Sequence, residues 1–348
     1  MSGGVDSSVA AALLLEAGYD VAGVTMKLWG GPSDTGCCSV SDVDDARWVA
    51  DQLGIEHHVF NFGDDFERHV VEPYVADHAA GRTPNPCVEC NRHIKFHRLL
   101  RRADALGFDL VATGHHARVV NGSGGPRLAR GVDEAKDQSY VLHMLDASVL
   151  DRLLLPVGET TKDEVRREAE ARGLVTARKP DSQDVCFITA SAGRRKFLGQ
   201  RIPMRPGRLV DTAGRQVGTV ESFELVTVGQ RRGLGAVGGG SPRYVLDVDA
   251  GSATVTVGDR AALDCSVTPL KEWRWTNGPV QGPVGVQTSA HGPAESATID
   301  AGGSSVNWDE PRRRVAPGQS VVAYQGDFVV GGGIADRTAA PHRISTSS

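Results

Sequence analysis

The run Ser2-Gly3-Gly4-Val5-Asp6-Ser7-Ser8 sets glycines, serine hydroxyls and one carboxylate directly before an apolar stretch, Val9 to Ala17. Glycine has no Cβ, so backbone there can approach an anion closely. Serine hydroxyls and turn N–H groups can wrap a phosphate, and a helix N-terminus favours it further. Asp6 stands where it could hold a Mg²⁺ ion. The lysine of a Walker loop is missing, and the plain alternative is a Gly-Ser turn that caps a helix. The second chemistry is thiol chemistry. Six cysteines occur, Cys37, Cys38, Cys87, Cys90, Cys186 and Cys265, and in a chain of this class they point to reduced, chemically used thiols rather than a disulfide framework. Cys90 is followed by Arg92 and Lys95, and cations or a helix N-terminus stabilise a thiolate. Cys87-x-x-Cys90 together with Cys186 also offers three thiolates, enough for an iron–sulfur cluster with one open iron or for zinc. Cys265 reads as a buried, inert side chain.

These groups need a scaffold. Val21 to Lys27 reads as a buried strand, which with the preceding helix makes a β-α-β crossover. Its end, near Met26, is where a nucleotide base would lie at the carboxyl edge of a parallel sheet. Leu28 to Ser41 reads as a Gly-rich loop, Asp42 to Leu53 as a helix, Glu56 to Phe62 as a strand and Asp64 to Ala80 as a helix. Gly81 to Asn91, with Pro84, Asn85 and Pro86, reads as a stiff loop outside any helix. A basic helix, Arg92 to Leu106, is expected next. Asp109 to Thr113 reads as a strand, Ser123 to Gly125 as a hairpin turn, and Thr161 to Arg172 as a helix with Thr161 at its N-cap and Glu164 three residues on. Lys179 to Phe187 is a second chemically rich loop. This alternation is that of a doubly wound α/β sheet. From Met204 short alternating runs take over, at Gly207 to Val210, Val217 to Val220, Tyr244 to Val248 and Thr254 to Val257. Trp273 onward reads as a small barrel or sandwich, with Ser289 to Ser305 and the tail after Arg337 as loops.

At 348 residues the chain exceeds one average domain. Hydrophobic content of 40% and charged content of 23% fit a soluble globular protein. No apolar run reaches the ~20 residues of a membrane span, and the opening glycine turn lacks the charged and apolar regions of a signal peptide. A cytoplasmic protein without membrane partners is expected. The net charge of −5 argues against nucleic-acid binding by the whole surface, but not by a local basic face.

The motifs SGGVDSS, TPNPCVECNRHIKF, ATGHHA, KDQSYVL, DSQDVCFI, GQRRGLG and APGQSVVAY with GGGI recur in one order along nearly the whole chain. The first resembles the PP-loop of ATP pyrophosphatases. Together they resemble the tRNA-specific 2-thiouridylases. The resemblance implies that Mg-ATP adenylates the carbon-2 oxygen of the tRNA wobble uridine, and that sulfur from a cysteine persulfide then displaces AMP. It implies ATP contacts for Ser2, Gly3, Gly4, Val5, Asp6 and Ser7, with Met26 and Gly114 near the adenosine. Cys186 matches the persulfide carrier and Cys90 its nucleophilic partner, which could close a disulfide after transfer. Asn85, Pro86 and Cys87 would face the target base. His115, Lys136, Asp137, Gln138 and Gln319 match positions near the tRNA. A cysteine desulfurase or sulfur-relay protein is the implied donor, and Lys, Glu and Gln acceptors are the implied tRNAs. The basic helix from Arg92 and Arg194-Arg195-Lys196 would supply the RNA-facing charge. Two departures stand out. Many relatives carry Asp where Cys87 stands, and several carry Arg-Tyr at Ser289-Ala290. A PP-loop normally follows a buried strand, and an apolar strand upstream of Met1 is expected in the natural protein. The expected division is a PP-loop domain over 1–201, a β-rich domain over 202–264 and a barrel-like domain over 265–348. The alternatives are another PP-loop adenylating enzyme, such as a different RNA thiolase or an amide-forming synthetase, and a non-catalytic RNA-binding protein.

Overall fold

The computed structural model describes residues 1–28, 40–122, 124–181, 185–188, 193–234 and 242–337. Cys37 and Cys38 with most of their Gly-rich loop, Ser123, residues 182–184, Gly235 and the tail after Arg337 lie outside the described residues. The chain divides into two compact units. The first comprises 1–76, 85–202 and 324–331, the second 77–84, 203–323 and the residues from 332 on.

In the first unit, helix α1 (Val5–Glu16) begins inside the Gly-Ser run, so that run is the helix's own N-terminal turn. Val5, Val9 and Ala10 pack with Val49 of α2 (Val40–Leu53) and with Val165 and Ala169 of the Lys162–Ala171 helix. Strand β1 (Gly23–Lys27) pairs in parallel with β2 (His57–Asn61), and Met26 lies beside Phe60. Strand β3 (Val111–Ala112) follows, then an antiparallel hairpin of β4 (Ala117–Gly122) and β5 (Gly125–Arg130). Strand β6 (Leu153–Leu154) returns to pair in parallel with β3. Val24, Met26 and Phe60 pack with Val111 against Leu99 and Ala103 of the Leu99–Leu106 helix. Successive strand side chains alternate in direction. Thr25, pointing the opposite way, is buried as well, so β1 is covered on both faces, as parallel strands are. The α/β reading of this part holds.

One stretch departs from expectation. Residues 86–91 are helical, with Pro86–Glu89 running straight into a π-helical segment, Cys90–Arg98. Proline is excluded from a helix interior but fits the first helical position, where no N–H is needed. Pro86 occupies it, and the Asn85 side chain caps the turn by accepting from the Cys87 N–H at 3.1 Å. Cys90 therefore sits one turn inside the helix rather than at its start.

In the second unit, β7 (Gly207–Val210), β8 (Gln216–Val220), β9 (Tyr244–Asp249) and β10 (Thr254–Gly258) form a sheet in the order β8-β7-β10-β9. Leu209, Phe223, Val245 and Val255 form its core. The last six strands are β11 (Asp264–Trp275), β12 (Val284–Gln287), β13 (Glu295–Ile299), β14 (Ser305–Arg313), β15 (Ser320–Gln325) and β16 (Phe328–Ala335). They run in the order β11-β14-β13-β12-β15-β16, and pairing of β11 with β16 closes the barrel. The expected loop Ser289 to Ser305 is overturned by β13. Its sequence Glu-Ser-Ala-Thr-Ile is too polar to announce a strand, but Ala297 pairs with Val284 on one side and Trp308 on the other and is fully buried. Tertiary pairing overrides a weak local preference.

Candidate active site

The Gly-Ser run is shaped from within. Gly4 is the N-cap of α1 in extended conformation, and no side chain caps this helix. Ser8 Oγ and Ser7 Oγ donate to the Gly4 carbonyl at 2.9 and 3.1 Å, and Ser7 Oγ accepts from the Ser2 N–H at 3.1 Å. The hydroxyls thus hold the turn and leave the helix N-terminus open, which is a seat for a phosphate. Two glycines allow the approach. Gly3 has φ +68°, and a Cβ there would lie 2.3 Å from the Asp42 carbonyl oxygen. A Cβ on Gly114 would lie 2.5 Å from the Asp6 carbonyl carbon and 2.6 Å from the Ser7 nitrogen. Gly114 therefore lies flush against the phosphate turn.

The cation absent from the motif arrives from far along the chain. Lys162 is buried, 7% exposed, and its Nζ donates to both Asp6 oxygens at 2.7 and 2.8 Å and reaches Asp181 Oδ1 at 2.9 Å. The second histidine of ATGHHA joins it, since His116 Nε2 lies 3.1 Å from Asp6 Oδ1. An ionised carboxylate only accepts, so Nε2 carries the proton. Burial pushes the Asp6 carboxyl up, but the hydrogen bonds from His116 and Lys162 outweigh it and hold Asp6 below the usual carboxylate range. For Asp181, burial again raises the pKa, and hydrogen bonds from Lys136 and Lys162 overcome this and hold it at about 2. Arg166, one turn after Lys162, donates to Asp181 at 2.8 Å and to the carbonyls of Ala177 and Lys179 at 3.0 Å. Lys179 is tied to Asp42 at 2.6 Å and to Asp45. The segment leading to Cys186 is thereby fastened to the phosphate turn through Asp181, Lys162 and Asp6.

Sequence reasoning missed Lys162, His116 and Asp181. A signal for Lys162 existed. It is the first residue after the N-cap Thr161 in a capping box with Glu164, and a cation there opposes the helix dipole. Such a lysine needs a counter-ion elsewhere.

The thiols lie in different settings. Cys90 is 8% exposed, Cys87 is exposed and Cys186 is half-buried. Phe187, next to Cys186, anchors that turn among Phe66, Tyr74 and Phe197, with ring centroids 5.7, 5.3 and 5.1 Å away. Among the described residues no three His, Cys, Asp or Glu side chains converge to hold a metal. Cys87, Cys90 and Cys186 thus do not make the three-thiolate pocket that a cluster needs.

Of the residues expected near RNA, His115 is buried, with Nδ1 2.8 Å from Thr113 Oγ1, and burial drives its pKa well below the usual range. Lys136 pairs with Asp181 at 2.8 Å. Asp137 is turned inward, accepting from Arg130, Gly131 and Ser139. Gln138 Oε1 accepts from the His116 N–H at 2.9 Å, so it braces the histidine that holds Asp6. In the second unit, Gln319 Nε2 donates to the Thr83 carbonyl at 2.5 Å, two residues before Asn85, and the Thr83 N–H donates to the Pro317 carbonyl at 2.7 Å. Met26 belongs to the cluster behind β1. No helix among the described residues is long and apolar enough to cross a membrane.

Comparison with known proteins adds three family models, in order. They are a tRNA methyl transferase HUP domain over residues 1–190, a tRNA methyl transferase PRC-barrel domain over 195–259 and an aminomethyltransferase beta-barrel domain over 268–335. The tRNA-specific 2-thiouridylase MnmA of Roseiflexus sp. (strain RS-1) is 46% identical over 365 residues, covering 96% of this chain and 97% of its own. That of Rhodococcus jostii (strain RHA1) is 47% identical, covering 98% and 97%, and that of Thermobifida fusca (strain YX) is 47% identical, covering 95% and 93%.

Proposed function

The chain belongs to the family of tRNA-specific 2-thiouridylases, and from that premise we propose that it replaces the carbon-2 oxygen of the tRNA wobble uridine with sulfur at the expense of ATP. The observation that carries this reading is the open N-terminus of α1, with Asp6, Lys162 and His116 gathered on it. A carbonyl oxygen leaves poorly. Attack of that oxygen on the α-phosphorus of ATP expels pyrophosphate and leaves AMP on the oxygen, a far better leaving group.

In this proposal Ser2, Gly3, Gly4, Val5, Asp6 and Ser7 hold the departing pyrophosphate, with Met26 and Gly114 beside the adenosine. Asp6, ionised and presenting hard oxygen donors, fits a Mg²⁺ ion that is otherwise held by phosphates; bound there, the ion would neutralise phosphate charge. Lys162 supplies a fixed positive charge to the same phosphates. Cys186 carries sulfur as a persulfide. The Cys90 thiolate attacks its inner sulfur, forming a Cys90–Cys186 disulfide and freeing the outer sulfur as sulfide, which adds at carbon 2 and expels AMP. A thiol reductant then resets the pair. Asn85, Pro86 and Cys87 face the base. Lys136 would contact the RNA, with buried His115 supporting that surface from beneath, and Asp137, Gln138 and Gln319 would brace the segments around it. The partners are a wobble-uridine tRNA and a cysteine desulfurase or sulfur relay, and the setting is the cytoplasm. The three-domain division at about 201 and 264 belongs to the same reading. An iron–sulfur cluster receives no step, because the three cysteines do not converge.

A methyl-transfer reading would take its name from the family models' descriptions, but an ATP-phosphate turn and two thiols have no part in moving a methyl group from a sulfonium donor. The test is release of AMP from labelled ATP with a sulfide source present. The proposal expects AMP only when unmodified tRNA is present, and its loss in Asp6→Ala with tRNA binding retained. Equal AMP release with and without tRNA would overturn it.

A further inference from the structure

We propose that a pocket at the carboxyl end of β2, lined by Asn61, Phe62, Arg98, Arg101, Arg102 and Ala105, holds a backbone phosphate of the RNA. The proposal rests on the tRNA reading above and deepens it. The pocket has a volume of about 250 Å³. That is smaller than the ~300–1,000 Å³ of sites for drug-sized ligands, so it suits one small group rather than a second whole cofactor.

Arg98, Arg101, Arg102 and Ala105 stand at helical spacings of three, four and seven, on one face. Like charges at these spacings repel and destabilise a helix. Arg98 has one counter-ion, Asp65 at 2.8 Å. Arg101 and Arg102 are exposed and have no ion-pair partner among the described residues. The stripe therefore carries excess positive charge on a chain whose net charge is −5.

The aromatic rings decide what kind of anion fits. The Arg102 guanidinium lies 4.7 Å from the centre of the Phe60 ring, and that of Arg98 lies 5.9 Å from the Phe62 ring. A guanidinium over a ring spends its flat face on the ring and keeps its edge donors for a forked contact to phosphate. Arg98 Nε is buried with no hydrogen-bond partner among the described residues, so this side chain's free donors are those of its terminal guanidinium nitrogens. Arginines on aromatic rings also make a platform on which an unstacked base can lie. The carboxyl edge of the parallel strands is where ligands of such sheets gather, and Phe60 pairs in register with Met26. A strand of RNA along that edge would bring a phosphate over this stripe.

The test measures binding of unmodified tRNA against salt concentration for wild type, Arg101→Gln/Arg102→Gln, and a control, Arg215→Gln, from the β7–β8 turn. Each phosphate contact to a single strand contributes about 0.7 to the slope of log affinity against log salt. The double variant is expected to bind at least ten-fold more weakly at low salt, with its slope shallower by about 1 to 2 and affinity for ATP retained. Ethylation interference should show a phosphate essential for the wild type and indifferent for the variant. Wild-type affinity and slope in the double variant, while wild type forms 2-thiouridine, would overturn the pocket and leave the function standing. Loss of affinity without a change of slope, or an equal loss in Arg215→Gln, would also overturn it. A wild type that neither binds tRNA nor forms 2-thiouridine would remove the function first.

Discussion

Replacing Lys162 by methionine removes the charge that joins Asp6 to Asp181 while keeping most of the side chain's volume. At 2.7 Å and an effective dielectric of about 20, the attraction to Asp6 is gross about 6 kcal/mol. Desolvation of the two ions takes back several kcal/mol. Removing one partner also strands the other, and a lost hydrogen bond to a charged group costs about 1.5–3 kcal/mol. Asp181 keeps Lys136 and Arg166, whereas Asp6 keeps only His116 among the contacts described. The Asp6 side chain is 29% exposed, so water softens the loss, and about 2 kcal/mol is expected. For a unit of this size that lowers the thermal midpoint by about 4–8 °C. The assay is thermal unfolding followed by circular dichroism without nucleotide, for Lys162→Met, Asp6→Asn and the double variant. The account expects Asp6→Asn to relieve Lys162→Met, with a coupling of about 1 kcal/mol or more. Additive effects of the two changes, or a midpoint within about 1 °C of wild type for Lys162→Met, would refute the reasoning.

Three further outcomes follow from other contacts. Gly114→Ala should push the phosphate turn aside, because its Cβ would meet Asp6 and Ser7 backbone; tRNA-dependent AMP release should fall about 100-fold, as displacements near 1 Å can do. Asp181 has its folded pKa depressed from 3.8 to about 2, so the unfolded chain binds its proton more readily; its contribution to stability is complete above about pH 4 and is lost as pH falls through about 2. Urea midpoints for Asp181→Asn should therefore be flatter over that acid range than those of wild type. Thr161→Ala should lose the capping box and about 1 kcal/mol in urea unfolding, with Glu164→Gln milder.

Much of the first unit was readable because local chemistry and tertiary structure agree there. The glycine turn runs into α1, strands β1 and β2 begin and end within two residues of expectation, and Thr161 with Glu164 forms the expected box. Residues 86–91 were misread because two prolines look like a break, although Pro86 sits at the one helical position that tolerates it. Strand β13 was hidden because burial of Ala297 is decided by its two neighbouring strands. The site itself was half visible. The residues proposed to hold phosphate and the thiols are marked by type and spacing, whereas Lys162 meets Asp6 from 156 residues away, a separation no local pattern encodes. The same limit applies to Asp137 and Gln138, whose inward bonds to Arg130 and His116 are products of the fold.

The central claim is sulfur transfer to uridine through two thiols. Unmodified tRNA carrying a wobble uridine would be incubated with ATP, Mg²⁺ and a cysteine desulfurase, then digested and its nucleosides weighed by mass spectrometry. Wild type, Cys90→Ser and Cys186→Ser would be compared, each with tRNA-dependent pyrophosphate release measured in parallel. The account predicts ATP-dependent 2-thiouridine from wild type, none from either variant, and pyrophosphate release retained in both. Undiminished 2-thiouridine from either serine variant, or a methylated rather than thiolated uridine from wild type, would contradict it.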